Sequence, residues 1–125
     1  MAKDIHLSDS QLAIMRALWQ RGEASTAAVH EIVGGERGLA YTTVATMLKR
    51  LEKRGVIRAR REGRELVFSP AVSEGEVRES MVSGLVASLF RGDSAALMTH
   101  LVRSGEVASE DLDEVKRLLR EGGDK

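Results

Sequence analysis

Along the chain, stretches whose apolar residues recur every three or four positions give way once to a pair of short stretches with a period of two. Leu12, Met15, Leu18 and Trp19 fall on one helical face. Ser8-Asp9-Ser10-Gln11 before them has the form of a capping box, and Leu7 is placed to staple onto Leu12. The spacing predicts a first helix that ends near Gly22. Ser25 offers a second N-cap, ahead of a short helix from Thr26 to Val33 that gathers Ala28, Val29, Ile32 and Val33, with Gly34-Gly35 as its stop. A third helix is predicted from about Tyr41 to Arg54, with Val44, Met47, Leu48 and Leu51 on one stripe and Gly55 as terminator. Val56 to Arg61 and Glu65 to Ser69 then read as two strands, joined through Glu62-Gly63-Arg64 into a hairpin.

Pro70 closes the hairpin, and Ser73-Glu74-Gly75-Glu76 forms another capping box that opens a helix to about Phe90. Two shorter helices are expected from Asp93 to Arg103 and from Ser109 to Glu121, each with Asp or Ser at its cap, while Gly122 to Lys125 is expected to fray. The expected fold is therefore mostly α with a small β-hairpin. It divides into an N-terminal winged helix-turn-helix domain, residues 1–70, and a C-terminal domain of three helices, residues 71–125.

Composition narrows the function. The 125 residues are 42% apolar and 30% charged, which is ordinary for a folded chain, and they contain no cysteine. That removes disulfides and thiolate metal sites and fits a reducing compartment. No segment reads as a signal peptide or reaches the roughly 18 apolar residues of a membrane helix, so the expected location is cytoplasmic, without membrane contact. The three histidines, His6, His30 and His100, lie in separate segments without metal-ligand spacing. No phosphate loop, nucleophile elbow or paired carboxylate cluster occurs. Neither an enzyme nor a cofactor or metal is expected.

Nineteen bases balance nineteen acids overall, but the balance hides two halves. Residues 1–70 carry net +4 and residues 71–125 net −4, and the window from Tyr41 to Arg64 alone holds +6. A local excess of this kind suits a polyanion. With the apolar stripe of the third helix buried, Thr42, Thr46, Lys49 and Lys53 lie nearly opposite it, with Thr43 and Arg50 on one flank and Ala45 on the other. Short hydroxyl side chains at the start and longer cations towards the end are how a recognition helix divides base reading from phosphate contact. The hairpin adds Arg58, Arg60, Arg61 and Arg64. Trp19 and Tyr41 adjoin apolar stripes and read as packing residues.

Leu7-Ser8 through Ala17-Leu18-Trp19, then Leu39-Ala40-Tyr41-Thr42-Thr43-Val44, Leu48 to Gly55 and Phe68-Ser69-Pro70 resemble the penicillinase repressor family of the BlaI, MecI and CopY type. The similarity continues through Met81 to Leu85, Phe90 to Asp93 and Asp111 to Val115, so it spans nearly the whole chain. The resemblance implies a bacterial transcriptional repressor that binds an inverted-repeat operator as a homodimer, with beta-lactam or stress-response genes as its targets. It assigns Thr42, Thr43 and Thr46 to bases, and Lys49, Arg50, Lys53, Arg60, Arg61 and Arg64 to phosphates. It also implies a TACA/TGTA operator core and a regulatory protease or sensor partner. Penicillin-responsive members are cut at an Asn-Phe bond, and the matching place here is His100-Leu101, in a chain without asparagine. The cysteine pairs of copper-responsive members are absent as well.

About 55 residues after Pro70 form a marginal core alone, which predicts self-association. Met81, Leu85, Leu89, Leu97, Leu101, Leu112, Val115 and Leu119 are the candidate dimerisation residues. The alternative is a winged-helix adaptor that binds an acidic protein or RNA. Preference for an inverted repeat over a scrambled duplex distinguishes the two.

Overall fold

The computed structural model describes residues 5–121. In chain order the elements are α1 (Asp9–Arg21), β1 (Ala24–Ser25), α2 (Thr26–Arg37), α3 (Tyr41–Lys53), β2 (Ile57–Glu62), β3 (Glu65–Pro70), α4 (Glu74–Leu89), α5 (Ser94–Arg103) and α6 (Ser109–Arg120). Three helices followed by a hairpin are the winged helix order, with the second three helices after it. The fraying expected at Gly122 to Lys125 lies outside the described residues.

Local chemistry accounts for most boundaries. Ser8 Oγ accepts from the Gln11 amide while Gln11 Oε1 accepts from the Ser8 amide, so the capping box that opens α1 is closed in both directions. Ser73 and Glu76 repeat the arrangement at the start of α4. Ser25 Oγ caps α2 through the Ala28 amide. At α6 the N-cap is Ala108, one residue before the expected Ser109, and only half of a capping box is present: Asp111 Oδ2 accepts from the Ala108 amide.

Two expectations are corrected. Gly34-Gly35 does not stop α2, which runs one further turn to Arg37 and ends on Gly38 at φ 66. That left-handed geometry favours glycine, and it lets the Leu39 amide donate back to the Gly34 carbonyl at 3.1 Å. The sheet is also larger than a hairpin. It has three strands in the order β1-β3-β2, because Ala24 and Ser25 pair with Phe68 and Val67. The hairpin turns over two residues, Gly63 and Arg64, since Glu62 pairs with Glu65, and Gly63 takes φ 62 at the first of them.

Contacts divide the chain within α4, into one unit that ends at Val82 and another that begins at Ser83. The first unit continues past Pro70 because the start of α4 belongs to its packing. Val77 is buried and Met81 half-buried against the core, Trp19 Nε1 donates to the Val72 carbonyl, and the Ile5 amide donates to Ser80 Oγ. Ile14, Met15, Leu18, Val29, Val44, Leu48, Leu51 and Phe68 fill the centre of this unit, each at most 1% exposed. The second unit is built differently. Beyond Val77 no described residue is fully buried.

Because Phe68 is fully buried in the core on the central strand of the sheet, Phe68→Ala is expected to cost about 3–5 kcal/mol. Urea unfolding of the full chain measures this as a lowered midpoint.

Candidate nucleic-acid interface

The site is laid out by α3. Val44, Leu48 and Leu51 are completely buried, and Met47 is half-buried against the same core. A helix anchored on that stripe has its opposite side fixed in solvent. Thr42, Thr43, Thr46, Lys49, Arg50 and Lys53 are accordingly all exposed, in the order expected from the sequence, hydroxyls first and cations later. Thr46, Lys49, Arg50, Glu52 and Lys53 line a shallow depression on this face. α3 ends in a Schellman motif at Gly55, whose amide donates to the Glu52 carbonyl while the Val56 amide donates to that of Leu51. The chain thereby passes directly into β2.

The start of α3 is held by a contact that the sequence did not announce. His30 of α2 is half-buried, and its Nε2 lies 3.1 Å from the Leu39 carbonyl oxygen just before α3. Its ring meets Tyr41 edge-on, with centroids 5.6 Å apart. Tyr41 is 49% exposed, so it stands at the rim of the face and not in the core. Gly34 makes room for this arrangement: a Cβ there would lie 2.6 Å from the His30 ring and 3.1 Å from the Leu39 oxygen.

The hairpin arginines do not form one group, because residues alternate between the faces of a strand. Ile57 is buried and Ala59 packs against the core, so Arg61 continues their face, towards the helices. Arg58 and Arg60 project from the reverse face. Arg64 occupies the turn. Arg60 is engaged there, donating through Nη2 to both oxygens of Glu23 at 2.9 and 3.0 Å, with Glu62 3.6 Å from its Nη1. The hydrogen bond to Glu23, reinforced by the charges of Glu23 and Glu62, holds the guanidinium still more firmly in its charged form. Arg58 Nη1 reaches the Pro70 carbonyl at 3.5 Å, and Arg54 donates to that of His6 at 2.9 Å. Glu23 was missed from sequence because it precedes a strand of two residues, too short to leave a pattern. The split among the arginines was legible in the alternation of Ile57 and Ala59.

The candidate dimerisation residues fall into three environments. Met81 packs against the N-terminal core, Leu97, Leu101 and Leu112 are half-buried, and Leu85, Leu89, Val115 and Leu119 are exposed. His100-Leu101 lies within α5, and the His100 ring sits 6.2 Å from that of Phe90. Arg117 of α6 pairs with Glu114 and Glu121. Among the described residues there is no cluster of three His, Cys, Asp or Glu able to hold a metal, and no helix is long and apolar enough to cross a membrane.

Residues 7–121 match the family model described as penicillinase repressor. The chain is 36% identical over 123 residues to the transcriptional regulator BlaI of Mycobacterium tuberculosis, covering 97% of this chain and 88% of that one. A solution structure of the DNA binding domain of the repressor BlaI superimposes with a TM-score of 0.54 at 30% identity, over 61% of this chain and 93% of that one. The solution structure of the Bacillus licheniformis BlaI monomeric form in complex with the blaP half-operator gives 0.53, with the same identity and coverage.

Gly34→Ala forces the His30 ring off the Leu39 carbonyl. The helix-propensity gain of about 1 kcal/mol for alanine inside α2 offsets the lost ring contact, so urea unfolding is expected to change by no more than about 1 kcal/mol. The His30 ring resonances report the displacement directly.

Proposed function

The chain belongs to the penicillinase repressor family, and from that membership we propose that it is a transcriptional repressor that occupies an inverted-repeat operator as a homodimer and blocks promoter access. The observation that carries this reading is the solvent side of α3, where exposed threonines precede exposed cations on a helix locked by its buried stripe. In this assignment Thr42, Thr43 and Thr46 face base edges, and Lys49, Arg50, Lys53, Arg61 and Arg64 contact phosphates. The DNA-binding domain, expected at residues 1–70, extends with its core to Val82, and the dimerisation surface lies in the unit from Ser83. Action on chromosomal DNA assigns the protein to the cytoplasm.

The lack of any fully buried residue among the described residues after Val77 supports the dimer. Leu89 and Leu119 are 67% and 69% exposed, and Leu85, Met98 and Leu118 add apolar surface around them. Burying such side chains stabilises an assembly by about 1.5–3 kcal/mol each, enough in combination to exceed the cost of association. Two-fold symmetry presents two α3 helices about one DNA turn apart, or a multiple of it. A relative whose monomeric form takes a half-operator fits that division of the site. Net −4 in the C-terminal half disfavours phosphate contact there. A protease selective for Asn-Phe bonds has no substrate in a sequence without asparagine.

Thr46→Ala is expected to reduce discrimination between a TACA/TGTA inverted repeat and its scrambled duplex by about 1–3 kcal/mol. Lys53→Ala is expected to weaken both duplexes equally and to flatten the salt dependence by about 0.9 in log–log slope. Fluorescence anisotropy reads both effects, and unchanged binding of both variants at low salt refutes the assigned face. Leu89→Glu with Leu119→Glu is expected to shift the chain to monomer in sedimentation equilibrium.

A further inference from the structure

The outer face of the three-stranded sheet carries a charged strap. Arg60 pairs with Val67, and Val67 pairs on its other side with Ser25, so the three form one row across β2, β3 and β1. Residues directly opposite in an antiparallel ladder project to the same side, and Glu23, two residues before Ser25, shares it. Neighbouring strands lie about 4.8 Å apart. To reach Glu23 from β2, the Arg60 side chain therefore crosses the whole width of β3, over Val67. Val67 is 7% exposed although, alone among the buried apolar residues described, it lies outside the contiguous core. A long apolar stem laid across it accounts for that burial.

The same geometry bears on DNA. Arg60 stands on the sheet face opposite to Arg61, and both of its closest charged neighbours are carboxylates. Glu23 engages it with two oxygens at hydrogen-bond distance. A phosphate must compete with an acid that is tethered to the same domain and so acts at high effective concentration. An Arg60 without this partner would be a mobile cation beside the duplex, adding attraction that is indifferent to sequence.

We propose that Glu23 is a specificity-determining residue: by strapping Arg60 across β3 it withholds that cation from phosphates, so the wing grips DNA through Arg61 and Arg64 alone. The inference rests on the repressor reading above. It assigns Arg60 to positioning the wing, where sequence placed it among the phosphate contacts.

The test is the salt dependence of binding of the full chain to a random-sequence duplex, compared between wild type, Arg60→Gln, Glu23→Ala and the double variant. Wild type and Arg60→Gln are expected to share one slope, and Glu23→Ala to steepen it by about 0.9, an extra three- to four-fold loss of affinity between about 50 and 200 mM salt. The double variant is expected to return to the wild-type slope, which separates release of Arg60 from the mere loss of an acid. Against the TACA/TGTA repeat, Glu23→Ala is expected to lower the ratio of operator to random binding. A slope flattened by about 0.9 in Arg60→Gln makes Arg60 a phosphate contact and overturns the inference. So does a wild-type slope in Glu23→Ala, or in Glu23→Gln should the alanine variant unfold. In those cases the repressor reading stands; a wild type without salt-dependent duplex affinity removes both.

Discussion

Burial of Val44, Leu48 and Leu51 is the constraint on which the rest of the molecule turns. These three side chains seat α3 against α1, α2 and the sheet, and a helix seated on one stripe has no freedom over what it presents on the other. The cations and hydroxyls of α3 are therefore displayed as a consequence of packing, with no polar contact needed to aim them. His30 and Tyr41 refine the start of the helix, and Gly34 gives His30 the space to do so. Interface and core are two sides of one element.

Charge in the wing is sorted by the pleat. Alternation sends Arg61 to the face of Ile57 and Ala59 and sends Arg58 and Arg60 to the other, where Glu23 and Glu62 sit. A cluster that looks uniform along the chain is thus divided in space between an available cation and a neutralised one. An exposed ion pair contributes little to stability, and its main consequence is the field that the protein offers to a polyanion. Counted with Glu23, the basic surface is one charge poorer than the +6 of the window from Tyr41 to Arg64.

The two units differ in how completely they solve the problem of burial. The first encloses a contiguous core that includes the beginning of α4, whereas the second leaves leucines, valines and a methionine open to solvent along all three of its helices. Such an asymmetry suits the proposed dimer, in which a second copy would cover the apolar surface of the arm. The apolar residues of α4 follow this logic, with Val77 and Met81 serving the first core and Leu85 and Leu89 exposed beyond them.

The sequence by itself determined the order of the six helices and the hairpin, the capping boxes at Ser8 and Ser73, the stripe of α3 and hence the residues on its free face, because each depends on side chains within about one helical turn of one another. It also carried enough of the family pattern to indicate the repressor. Tertiary structure alone decided the pairing of Ala24 and Ser25 with β3, the seat of His30 and the capture of Arg60 by Glu23, 37 residues away. Local rules read glycine as a stop and arginine as free charge. What overrode them was a later glycine, Gly38, that supplies the left-handed cap, and a distant carboxylate, Glu23, that holds Arg60.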